Sequence, residues 1–73
     1  MAFFHQAFGT AVRRRRHKLK VSQETFAERA NLHRTYISKI ESGKVDVGLG
    51  VARRISQALG VRLSKLVEEA EGR

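Results

Sequence analysis

Apolar residues return along this chain at steps of three and four, and no stretch alternates apolar with polar residues long enough to make a strand. That rhythm predicts helices throughout, and there are five of them. The first runs roughly from Phe3 to Leu19, with Phe4, Phe8, Val12 and Leu19 along one stripe and Ala11 beside it. Arg13, Arg14, Lys18 and part of Arg16 occupy the opposite side. Arg15 falls on the apolar stripe, where its stem covers the core and its head is expected to reach water.

The second helix is expected to start at Ser22, whose hydroxyl suits an orphan backbone N–H. Glu24 complements the positive end of its dipole. Phe26, Ala27 and Ala30 face inward, and Asn31 stops it in the left-handed conformation. Leu32 and His33 alone separate that stop from a third helix, Arg34 to about Ser42, with Ile37 and Ile40 inward and Gly43 closing it. A fourth helix covers about Gly48 to Leu59, with Leu49, Ala52, Ile55 and Leu59 inward and Gly60 as its stop. A fifth, about Leu63 to Glu71, shows Leu63, Leu66, Val67 and Ala70 as its apolar positions. The expected fold is therefore all-α: a compact five-helix bundle, with residues 1–7 as an N-terminal extension that starts the first helix, 8–71 as the domain and 72–73 as a tail.

Composition narrows what such a bundle does. Fifteen Lys+Arg against seven Asp+Glu give a formal charge of +8, which favours polyanions: nucleic acid, an acidic membrane surface or an acidic protein. With no cysteine there is no disulfide, and a structural zinc is not expected because His5, His17 and His33 share no ligand spacing. No cofactor is expected, and neither is catalysis, since no histidine stands near a plausible nucleophile. No apolar run approaches the ~20 residues of a membrane span. The N-terminus does not read as a secretory signal, so the expected setting is cytoplasmic.

Two short helices, 22–30 and 34–42, joined by a turn with a left-handed residue are the ingredients of a helix-turn-helix. The outward positions of the later helix, Arg34, Thr35, Ser38 and Lys39, contain no acid. A surface helix of a bundle usually pairs opposite charges at four-residue steps. A narrow helix bearing such side chains fits the major groove, where Arg or Lys donates to guanine and a Thr methyl meets thymine.

The stretches VSQETFAERANLHRTYISKIESGK and ISQALGVRLSKLVEEAE resemble the phage-repressor and Cro type of helix-turn-helix, the XRE family. They are also similar to the small controller proteins of restriction–modification systems. The likeness runs from about Phe8 to Glu71.

The resemblance implies a DNA-binding regulator in which Arg34, Thr35, Ser38 and Lys39 contact bases. It implies backbone contacts from Ser22, Gln23, Ser42 and Lys44, and from His33 and Tyr36 at the edge, which are as well placed for a base edge. It further implies a salt bridge between Arg16 and Glu41, and a homodimer on a two-fold symmetric duplex site through Val61, Leu63, Leu66 and Val67. The alternative is that the last four merely close the monomer core, and for Leu63 and Leu66 the two roles are equally open. Three features depart from the family pattern. Lys20 stands where a Gly is usual, VDVG at 45–48 replaces a basic loop, and the overhang MAFFHQ has no counterpart. Phe3 and Phe4 are left either to extend the core or to form an exposed patch.

Other binding modes stay open on the sequence. RRRRHKLK on the first helix would serve RNA or an anionic membrane surface, or be no more than a solvated face. An antitoxin's DNA-binding half is a further alternative.

Overall fold

In the computed structural model, which describes residues 3–72, the second and fourth helices stop at residues whose backbone chemistry suits the stop. The elements are α1 (Phe4–Leu19), α2 (Gln23–Ala30), α3 (Arg34–Glu41), α4 (Leu49–Leu59) and α5 (Leu63–Ala70), and no strand occurs among the described residues. Met1, Ala2 and Arg73, which belong to the overhang and the tail, lie outside the described residues.

The Ser22 hydroxyl accepts the Thr25 N–H at 3.0 Å and so caps α2. Asn31 (φ 55°) and Gly60 (φ 72°) end α2 and α4 in the left-handed region, and Gly43 (φ 73°) does the same just beyond α3. In each case the next amide reaches back five residues: Leu32 to Ala27 O at 2.9 Å, Lys44 to Lys39 O at 2.9 Å, Val61 to Ser56 O at 3.1 Å. Carbonyls that would be orphaned at the helix ends are thereby satisfied. Lys20 is left-handed too, at φ 58°, in the place where glycine would be free of steric cost.

The core lies where all five helices meet. Val12, Phe26, Ile37, Ile40, Ile55 and Leu66 are its fully buried side chains, with Phe8, Ala11, Ala27, Ala30, Ala52 and Leu59 around them. Each of the larger groups is worth ~1.5–3 kcal/mol of burial. α1 packs on α3, α4 and α5, while α2 packs on α3 and α4, so α2 and α3 are held from behind by α1 and α4.

The apolar stripes hold in the middle of helices and fail at their ends. Phe8 and Val12 are buried as expected, but Phe4 is 49% exposed and Leu19 44% exposed at the two ends of α1. Leu49, expected inward, is 80% exposed, because it opens α4 one turn ahead of Ala52 where no helix covers it. Phe3 is not helical; it precedes α1, is 68% exposed, and stacks on the His5 ring at a centroid distance of 5.6 Å. Residues 4–7 of the N-terminal extension form the first turn of α1, in keeping with the expected start of the first helix there. Arg15 is a further correction: its guanidinium turns to Glu69 on α5 and does not run free to water. No helix among the described residues is long and apolar enough to cross a membrane.

Candidate nucleic-acid interface

α3 is short because both its ends are fixed. His33 caps its start, with Nδ1 accepting the Thr35 N–H at 3.1 Å, which leaves the hydrogen of the neutral ring on Nε2. Ser42 and Gly43 end it. Between them Ile37 and Ile40 sink completely into the core, while Arg34, Thr35, Ser38 and Lys39 are all exposed. Tyr36 is half-buried against the core. The result is one unbroken outer face bearing two cations, two hydroxyls and no acid.

Behind that face lies a bidentate ion pair. Arg16 Nε donates to Glu41 Oε2 at 2.7 Å and its Nη2 to Glu41 Oε1 at 2.9 Å, while Nη1 donates to the Val21 carbonyl at 2.9 Å. Both side chains are nearly sealed from water, 10% and 3% exposed. The hydrogen bond to Glu41 raises the Arg16 guanidinium above its ordinary range, against the opposing effect of burial, and the attraction between the charges adds to it. Gln23 joins them, its Nε2 donating to Glu41 Oε1 at 3.2 Å. One carboxylate therefore ties α1, the start of α2 and the end of α3 into a single unit. A cleft lined by Arg13, Arg16, Gln23, Ser38, Glu41 and Ser42 opens over it.

Several sequence-predicted contacts are already engaged inside the protein. The Ser22 hydroxyl donates its proton to Thr25 Oγ1 at 3.1 Å, and the Ser42 hydroxyl donates to Lys39 O at 3.2 Å. A phosphate has only acceptors to offer, so each serine must redirect its proton to hold one. Thr25 N–H is taken by Ser22, which leaves the Gln23 and Glu24 amides as the donors of the α2 first turn. Lys44 is fully at the surface. Of the four residues named for an interface, Val61, Leu63 and Val67 are half-buried. Leu66 is completely buried, so it closes the monomer core and has no surface to give.

Four features escaped the sequence reading. Gly9, inside α1, lies against the Ile40 carbonyl; an interior helical glycine was the available signal. Arg54 of α4 donates to Ala30 O at 3.2 Å and to Asn31 O, binding α4 to the end of α2. Arg15 Nε donates to Glu69 Oε1 at 3.0 Å, clamping α5 to α1. Arg13 shares the cleft of Ser38 and Ser42. No pattern in the sequence separates these arginines from their neighbours, because their partners are remote in the chain.

Five helices with a reading-type face on the second of a tightly turned pair define a helix-turn-helix protein, and the family profile described as helix-turn-helix matches residues 12–66. The chain belongs to that family and is a DNA-binding transcriptional regulator. It is 43% identical over 65 residues to the control protein C.MunI of a Mycoplasma species, covering 88% of each chain. Its fold is similar to the restriction-modification controller protein C.AhdI from Aeromonas hydrophila (TM-score 0.82, 31% identity, 85% of this chain and 94% of that one). It is also similar to the clp gene regulator ClgR from C. glutamicum (TM-score 0.92, 27% identity, 96% of this chain and 90% of that one).

Proposed function

We propose that this regulator reads one duplex DNA sequence as a homodimer on a two-fold symmetric site, and that it acts as a controller of restriction–modification genes. The carrying observation is the exposed, acid-free outer face of α3, with Ile37 and Ile40 buried behind it. In the groove, Arg34 and Lys39 donate to base acceptors, and Thr35 and Ser38 meet the edges between them. Phosphates lie at the Gln23 and Glu24 amides, at Ser22, Ser42 and Lys44, and at the His33 Nε2–H and Tyr36 hydroxyl. The likeness to control proteins supports the gene context. A dimer joined through Val61, Leu63 and Val67 would set two α3 helices on half-sites ~34 Å apart.

Selection from a random duplex pool tests this reading. The expected product is a symmetric motif whose half-site centres are about one helical turn apart. Arg34→Ala should then relax discrimination at one base position, at a cost of ~1–3 kcal/mol for the preferred base. Lys44→Ala should weaken every duplex alike and make the salt slope shallower by ~1. Equal losses on all sequences from Arg34→Ala would remove α3 from the reading role.

A further inference from the structure

The four arginines at 13–16 are divided by the fold. Arg16 is consumed by Glu41 and Arg15 by Glu69. Arg13 and Arg14 are exposed, and with Thr10, His17 and Lys18 they line an open groove on the outer side of α1. Among the described residues no acid forms an ion pair with Arg13, Arg14 or Lys18. Glu69 is near enough to Lys18 to feel its charge, but Arg15 already holds that carboxylate. The His17 ring lies beside this strip with its Nε2 3.3 Å from Arg16 Nη2.

Dipole complementarity does not account for this strip. It favours cations in the last turn of a helix, which covers Arg16, His17 and Lys18 but not Arg13 or Arg14. Arg14 and Lys18 stand four apart, a like-charge spacing that costs ~0.2–0.5 kcal/mol. A solvated face gains nothing from that arrangement.

We propose that the outer face of α1 is a second phosphate-binding surface, in which Arg13, Arg14 and Lys18 hold the DNA backbone flanking the sequence that α3 reads. This rests on the DNA-reading role of α3. The Arg13 end of the strip adjoins a place where a duplex on α3 brings its phosphates. Arg13 lines the same cleft as Ser38 and Ser42. Lys18, near the C-terminal end of α1, precedes the Ser22 cap by four residues. The groove is lined by no apolar side chain that would enter a membrane. Three cations that form no ion pair among the described residues, lining one groove, match the charge of a phosphate backbone.

The test compares the wild type with the double variant R14A/K18A on the selected duplex in two lengths. One length covers the two half-sites alone, ~20 bp, and the other adds ~10 bp on each side. The wild type should bind the longer duplex more tightly. The double variant should lose that gain, by about tenfold or more, with a salt slope shallower by ~1.8 per protomer. On the short duplex the two proteins should bind alike. Thermal melting should be unchanged or slightly raised in the variant, since a like-charge spacing is removed.

Retention of the full gain by the variant overturns the proposal. So does an equal loss on both lengths, or a loss seen only with single-stranded RNA or with phosphatidylserine vesicles. If the pool yields no preferred sequence, it is the reading by α3 that fails. The variant's salt slope on an arbitrary long duplex then decides the strip, and an unchanged slope overturns it.

Discussion

Gly9 of α1 and Ile40 of α3 touch backbone to backbone: a Cβ placed on Gly9 would stand 2.0 Å from the Ile40 carbonyl oxygen and 3.1 Å from its carbon. The two helices approach this closely only because position 9 has no side chain. Their contact in turn places Glu41, the residue after Ile40, within reach of Arg16.

Two effects of Gly9→Ala oppose each other. Alanine favours a helix interior by ~1 kcal/mol over glycine. The added methyl meets backbone, which cannot rotate away, so α1 and α3 must separate at a cost on the order of 3 kcal/mol. The clash wins. The urea midpoint should fall, and DNA affinity should fall with it as α3 shifts. An unchanged midpoint would mean that the helices are free to slide apart.

Glu41→Ala should be of similar severity. The carboxylate is 3% exposed and accepts from Arg16 twice and from Gln23 once. Its removal strands the Arg16 guanidinium among buried groups, at a cost of ~3–5 kcal/mol. A domain of 73 residues has little margin for that loss. Equilibrium unfolding monitored by circular dichroism should show a largely unfolded chain at 25 °C. Arg16→Met/Glu41→Leu should recover much of the loss by removing both charges together.

The sequence disclosed whatever is written locally. Caps such as Ser22, stops such as Asn31 and Gly60, and the inward spacing of Ile37 and Ile40 each depend on a few neighbouring residues, and their positions match. The spacing alone does not say where a stripe ends, since burial at a helix terminus depends on whether another element reaches that far. Leu49 and Leu19 were misplaced for that reason, and the same cause decides the open choice at Phe4 in favour of the surface. Long-range polar pairing divides in the same way. Arg16 with Glu41 was legible only through family resemblance. Arg15 with Glu69, 54 residues apart, was not legible at all. The engaged hydroxyls of Ser22 and Ser42 depend on side-chain rotation, on which a sequence is silent.

Lys20 offers a gain in stability. It occupies the left-handed region at φ 58°, where a side chain costs ~1–2 kcal/mol and glycine costs nothing. Glycine also loses ~0.5–1 kcal/mol more chain entropy on folding, so the two terms partly offset. Lys20→Gly should therefore stabilise the domain by ~0.5–1 kcal/mol, read as a higher urea midpoint at unchanged m-value. A lower midpoint would show that the Lys20 side chain holds a contact worth more than the strain.

The clamp between α1 and α5 should release in acid. Hydrogen bonding to Arg15 lowers the Glu69 carboxyl below its usual range, with partial burial opposing and the charges of Arg15, Lys65 and Lys18 adding to the depression. A carboxyl depressed in the folded state binds fewer protons there than in the unfolded chain, so stability falls as pH falls. The contribution is whole above the unfolded value of ~4.3 and is lost as pH drops through the lower folded value. Glu69→Gln removes the charge and should flatten the stability profile across that acidic window. At pH 7 the variant should be less stable than the wild type, while well below both values the two should converge. Denaturant unfolding of both proteins at intervals from pH 7 down to ~2 makes the comparison. A gap between wild type and Glu69→Gln that stays constant across the series would show that the pair contributes through packing and not through charge.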